Sequence, residues 1–76
     1  MLLGRPGCGL CEEFERDLAR FAREFSLPPV DKLDVDCDPE LARRWGLDIP
    51  VLLWEGTRVC QHRLDPDELR RLLRNR

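Results

Sequence analysis

The sequence has no tyrosine, one histidine and one methionine, and it contains no long apolar run. A membrane-spanning helix needs roughly 18 or more consecutive apolar residues, and no stretch approaches that length. The opening residues, Met1 to Gly4, are too short to form the apolar core of a secretory signal peptide. We therefore expect no membrane association and residence in a reducing cytoplasm.

Neither positive nor negative charge is in large excess. Lys and Arg number 13 and Asp and Glu number 15, so the formal net charge is -2. This balance leaves no basic surplus for a nucleic-acid partner. Charged residues make up 37% and hydrophobic residues 42%, which is typical of a globular domain rather than a disordered chain. With 76 residues, we expect one domain, residues 1–76, and a monomer.

Four cysteines are the most informative residues that are present. In a reducing compartment they are more often catalytic or metal-binding than part of a disulfide framework. Cys8 and Cys11 form a Cys-x-x-Cys pair, whereas Cys37 and Cys60 are isolated. No second Cys-x-x-Cys follows, so the spacing disfavours a zinc site, and we predict no bound metal.

Hydrophobic spacing predicts the helices and strands. An apolar stripe predicts a helix over residues 9–25, carried by Leu10, Phe14, Leu18, Phe21 and Phe25. Alternation predicts a half-buried strand over residues 30–36. Met1 to Leu3 predicts a very short first strand.

The second half of the chain reads as a short helix, a hairpin and a last helix. Asp38-Pro39 is typical of a helix start, and Gly46 of the residue just past a helix end. Residues 51–54 and 57–64 predict two strands joined by a Glu55-Gly56 turn. Asp65 and Glu68 are spaced like a capping box. The predicted order is therefore β-α-β-α-β-β-α, with a parallel first pair and an antiparallel last pair.

These features together resemble the glutaredoxin-like family, a minimal form of the thioredoxin fold. The resemblance rests on residues 5–11, Arg-Pro-Gly-Cys-Gly-Leu-Cys, between a strand and a helix, and on Ile49-Pro50 before the third strand. It covers nearly the whole chain and is closest to short bacterial glutaredoxin-like proteins. It implies an α/β, thioredoxin-like fold with a four-stranded mixed sheet in the order 2-1-3-4.

The family also implies a disulfide oxidoreductase that holds no cofactor. Its partner would be a disulfide-containing protein or glutathione, with electrons from glutathione or a thioredoxin-reductase-type system. Pro50 would be cis and face the cysteine pair. The chain has Cys60-Gln61 where glutaredoxins carry the Gly-Gly pair that contacts glutathione, and it lacks their tyrosine near the cysteines.

The spacing of the cysteine pair suits thiol–disulfide exchange. Cys8 would lie at a helix N-terminus, where free amides favour the thiolate that attacks a disulfide. Two intervening residues place Cys11 one turn along the same face, where it can resolve the mixed disulfide. Gly9 would allow close approach of a partner and Leu10 an apolar contact. Arg5 would add positive charge, and Ile49 and Pro50 would bind the substrate backbone.

Two alternatives remain open: a redox-inactive binding module, and metal or cluster handling through Cys8 and Cys11. The implied strand order puts Cys37 and Cys60 at opposite sheet edges, about 14 Å apart, which is too far for a disulfide. We interpret Cys37 as a solvent-side loop thiol, Cys60 as a packing residue near Val51, and His62 as a partly exposed structural residue. Trp45 and Trp54 are interpreted as core residues.

Overall fold

The structure, a computed structural model, describes residues 1–74 and has the predicted order of elements. The strands are β1 Leu2–Gly4, β2 Lys32–Asp34, β3 Val51–Trp54 and β4 Thr57–Gln61. The helices are α1 Gly9–Glu24, α2 Pro39–Trp45 and α3 Pro66–Arg74, with a single 3-10 turn at Val35–Cys37.

The four strands form one mixed sheet in the order β2-β1-β3-β4, which confirms the predicted order 2-1-3-4. β1 is parallel to β2, and β3 is antiparallel to both β1 and β4. The end of β1, the start of β3 and the end of β4 therefore lie at the same end of the sheet. The loop that carries Cys8 and the segment that carries Pro50 are both at this end.

The apolar stripe of α1 forms the larger of two core clusters. Phe14, Leu18 and Phe21 are buried against one face of the sheet and against Leu69 of α3. The predicted helix is confirmed over Gly9–Glu24, one residue short of its predicted end. Phe25 caps the helix by donating its backbone N–H to the Phe21 carbonyl.

The second cluster lies on the opposite face of the sheet. Leu3, Val51 and Leu53 are buried there, and Leu41 and Trp45 of α2 pack against them. Trp45 and Trp54 are each only half-buried, so neither is a fully enclosed core residue. Helices on both faces of a four-stranded sheet give the layered arrangement that the element order predicted.

The second strand is shorter than predicted. Residues 30–36 were expected to be extended, yet β2 covers only Lys32–Asp34 and the chain then turns. The Asp34 carboxylate accepts the Asp36 backbone N–H at 2.9 Å, which favours a turn over continued pairing. Val35 is fully buried within this 3-10 turn, so its apolar character reflects burial rather than strand alternation.

The β3–β4 hairpin has the predicted two-residue turn and an unexpected bulge. Glu55 and Gly56 both take positive φ, 50° and 82°, as a type I′ turn requires. A register shift between Leu52 and Leu53 then places Cys60 opposite Leu52, not Val51. β4 ends at Gln61 instead of residue 64, because His62 takes the left-handed conformation at φ 68°.

The helix caps differ from the predictions in two details. Asp38 caps α2 as expected, accepting the Glu40 N–H at 3.0 Å. Gly46 keeps a right-handed conformation, φ -56° and ψ -29°, so α2 ends without the left-handed residue that was predicted. Asp65 accepts the Glu68 N–H at 3.2 Å, but the Glu68 carboxylate pairs with Arg71, so the capping box is only half formed.

Among residues 1–74, no helix combines the length and the apolar character that a bilayer crossing would require.

Candidate redox site

Cys8 is the N-cap of α1, and its sulfur takes part in the cap. The Sγ atom of Cys8 accepts the backbone N–H of Cys11 at an N···S distance of 3.2 Å. Cys8 has an extended backbone, and its carbonyl accepts the Glu12 N–H at 3.1 Å, which begins the helical bonding. The sulfur thus occupies the place of a capping oxygen, where an amide and the helix dipole favour negative charge.

The loop before Cys8 delivers it to this position. Gly7 takes the left-handed conformation at φ 76°, which an L-residue rarely adopts, so glycine is needed there. The Cys8 N–H then donates a hydrogen bond to the Arg5 carbonyl, with an N···O distance of 3.3 Å. This tight turn connects β1 to α1 over only four residues.

The two thiols of the pair differ in exposure. Cys8 is half-buried, whereas Cys11 is 6% exposed and faces the sheet. Burial is the main cause that raises the pKa of the Cys11 thiol from 9.0 to about 11, and its contact with Cys8 adds to the rise. Cys11 is therefore the more buried thiol of the pair, and its burial favours the neutral form.

Arg5 is engaged by a carboxylate on the β2 side of the site. Its Nε and Nη2 atoms donate to both oxygens of Asp36, at 2.7 and 2.9 Å. This bidentate pair raises the pKa of Arg5 and lowers that of Asp36. The sequence suggested that Arg5 adds positive charge near Cys8; in the structure its guanidinium also links the loop before Cys8 to the 3-10 turn that follows β2.

Pro50 lies where the resemblance predicted, at the start of β3. The Ile49-Pro50 peptide bond is cis, and the Pro50 side chain is fully buried. Its carbonyl accepts the His62 N–H at 2.7 Å, so the strand pairing continues one step beyond β4. Since Leu3 is opposite Val51, the next position along β1 brings Gly4 beside Pro50.

The remaining predicted contact residues differ in exposure. Gly9 and Leu10 are exposed, and 42% of Leu10 is accessible, which leaves an apolar side chain next to Cys8. Ile49 is half-buried and packs against the cluster that contains Val51. Sequence reasoning missed Gly4, which contacts the Cys11 side chain across the strand–helix junction. A glycine ending an apolar strand was the only signal for it.

The other two cysteines have the predicted burial, although Cys60 lies opposite Leu52 rather than Val51 and Cys37 ends a 3-10 turn. Cys37 is exposed, and Cys60 is buried in the larger core cluster, where burial raises the pKa of its thiol. His62 is exposed. Within residues 1–74, no three His, Cys, Asp or Glu side chains are grouped so that they could hold a metal ion.

The fold and the cysteine pair define a thioredoxin-fold protein with its Cys-x-x-Cys at the start of the first helix. The sequence matches the model of the glutaredoxin-like domain (DUF836) over residues 1–74, and the chain belongs to this family. A search of curated proteins gave no match to it.

Proposed function

We propose that the protein is a thiol–disulfide oxidoreductase in which Cys8 attacks a disulfide and Cys11 resolves the product. The observation that carries this proposal is the hydrogen bond from the Cys11 N–H to the Cys8 sulfur at 3.2 Å. A donor aimed at a sulfur stabilises its thiolate more than its thiol, since hydrogen bonds to charged groups are the stronger ones. The neighbouring thiol of Cys11 is one helical turn away.

The difference in burial supports this division of roles. Cys8 is half-buried and open to an incoming disulfide, whereas Cys11 is buried. The raised pKa of Cys11, about 11, keeps it protonated while the first exchange takes place. Cys11 therefore reacts only after Cys8 has formed a mixed disulfide, whose Cys8 sulfur lies within its reach.

The reaction is a pair of exchanges with balanced electrons. The Cys8 thiolate attacks one sulfur of the substrate disulfide, forms a mixed disulfide and releases the first substrate thiolate. The proton of Cys11 passes through solvent to the released substrate thiolate, and the Cys11 thiolate then attacks the Cys8 sulfur, which closes the Cys8–Cys11 disulfide and releases the second thiolate. Two electrons pass from the dithiol to the substrate, and an external reductant must restore the dithiol.

The substrate groove is proposed to run past the cis Pro50 and the exposed Leu10. An extended backbone could pair there, with Ile49 and Gly9 flanking it. The partner would be a disulfide-containing protein or glutathione. We propose glutathione or a thioredoxin-reductase-type system as the electron source, and the cytoplasm as the location. Turnover measured with each reductant in turn distinguishes the two sources.

Trapping tests the proposed roles. The Cys11→Ser variant, exposed to a disulfide-bonded protein such as insulin, should retain a mixed disulfide on Cys8 that mass spectrometry can locate. Cys8→Ser should trap nothing at position 8 and should lose turnover. Cys37→Ser is the matched control, because its exposed thiol lies outside the pair, and it should turn over like the unmodified protein.

Three results would count against the proposal. If Cys8→Ser retains turnover, Cys8 is not the attacking thiol. If the unmodified protein never forms a Cys8–Cys11 disulfide under oxidant, the chain behaves as a redox-inactive binding module. A stoichiometric metal ion in anaerobically purified protein, lost in Cys8→Ser, would instead favour metal handling.

A further inference from the structure

Gly4, the last residue of β1, lies against the side chain of Cys11, the proposed resolving cysteine. A Cβ atom placed on Gly4 would be 3.3 Å from the Cys11 sulfur and 3.5 Å from its Cβ. The first of these distances is shorter than an ordinary van der Waals contact. The absence of a side chain at position 4 thus creates the space that the Cys11 sulfur fills.

Backbone conformation does not explain this glycine. Gly4 is paired within β1, opposite Asp34, and it is not among the residues with positive φ. Glycine inside a strand weakens the strand and often marks a close approach of another group. By contrast, a Cβ at Gly9, between the two cysteines, would meet nothing within 4 Å.

We propose that Gly4 is a positioning residue that seats the Cys11 sulfur for attack on Cys8. This inference rests on the proposed function and concerns its second step only. In that step, the Cys11 thiolate attacks Cys8 in the mixed disulfide, a Cys8–Cys11 bond forms and the substrate thiolate leaves. The step demands a defined approach, because a disulfide has an S–S bond near 2.05 Å and a torsion near 90°.

The methyl group of a Gly4→Ala variant would push the Cys11 sulfur away from β1. Gly4 and Cys11 both line an open cavity of about 330 Å³ on the β2 side, so the sulfur has space to move. A misplacement of about 1 Å can slow a positioned reaction by about 100-fold. A displacement of a few tenths of an ångström then slows resolution by about fourfold to tenfold.

The test separates the two exchange steps with a chromogenic aromatic disulfide, dithionitrobenzoate. Attack by Cys8 releases one coloured thiolate, and resolution by Cys11 releases a second from the same protein molecule. Stopped-flow absorbance follows both phases, in a Cys37→Ser background that removes the exposed third thiol. Gly4→Ala should slow the second phase about fourfold to tenfold and leave the first within twofold of the parent.

The outcomes are distinct for the inference and for the proposed function. A second phase within twofold of the parent, or equal slowing of both phases, overturns the role of Gly4 but leaves the dithiol mechanism intact. If the parent releases only one thiolate from the pair, the proposed function fails, and the inference fails with it.

A folding failure of Gly4→Ala also gives an answer. Cys11→Ala removes the sulfur that the new methyl group would meet, so the Gly4→Ala/Cys11→Ala double variant should fold if the clash is with that sulfur. Circular dichroism under reducing conditions reports this. If the double variant also fails to fold while Cys11→Ala alone folds, position 4 has only a structural role and the inference is overturned.

Discussion

The raised pKa of Cys11 predicts a loss of folding stability at alkaline pH. In the unfolded chain a cysteine thiol ionises with its ordinary pKa, here 9.0, whereas in the folded protein the value is about 11. The folded state therefore prefers the neutral thiol. This contribution is complete below a pH of about 9 and disappears as the pH rises through about 11.

The magnitude follows from the two pKa values. One pKa unit corresponds to about 1.36 kcal/mol, so the rise from 9.0 to about 11 is worth at most about 3 kcal/mol. About 1 kcal/mol of this is lost between roughly pH 8 and pH 10, where the unfolded thiol ionises and the folded one does not. A domain of 76 residues has about 4 to 11 kcal/mol of stability in total, so the effect is measurable.

The assay is urea unfolding under reductant at both pH values, for the unmodified protein and for Cys11→Ala. The stability advantage of the unmodified protein over the variant should shrink by about 1 kcal/mol from roughly pH 8 to pH 10. Contributions from groups that do not interact with Cys11, including the buried Cys60, cancel in this difference. Leu18→Ala, a buried and non-titrating change on the same helix, should show a constant difference. A constant difference for Cys11→Ala as well would refute the reasoning.

Two further predictions concern the stability of the fold. Phe14→Ala should lower the free energy of unfolding by about 3–5 kcal/mol, because Phe14 is 1% exposed in the larger cluster. The control Leu47→Ala, at a residue that is 98% exposed, should change it by less than about 0.5 kcal/mol. Equal midpoints of urea unfolding for the two variants would contradict the assigned core. Asp38→Ala should cost about 1 kcal/mol, since it removes the acceptor of two N–H groups at the start of α2, and Asp31→Ala, an exposed change outside the helices, should be near neutral in the same assay.

Local patterns predicted most of the elements because their causes are local. The stripe from Leu10 to Phe21 has the period of a helix, and Asp38-Pro39 supplies both an N-cap and a preformed first turn. The Glu55-Gly56 turn also follows from short-range geometry. Errors occurred where a side chain competes with regular structure, as when Asp34 ends β2 with a hydrogen bond to its neighbour.

The candidate site was predicted in outline from its motif. The Cys-x-x-Cys spacing and its place after a strand put Cys8 at the helix N-terminus, and the structure has it there. The cis geometry before Pro50 came from family resemblance rather than from the residues alone. The ion pair of Arg5 with Asp36 could not be predicted from sequence, because the two residues are 31 positions apart.

The sequence by itself determined the order of elements, the helix faces and the spacing of the two thiols, since these depend on residues within a few positions of one another. Three features were decided by the tertiary structure alone. They are the bulge that sets Cys60 opposite Leu52, the ion pair between Arg5 and Asp36, and the close packing of the Cys11 sulfur against Gly4. Each of the three depends on how separate segments approach in space. Register, charge pairing and close packing are fixed by those approaches, and no short-range pattern encodes them.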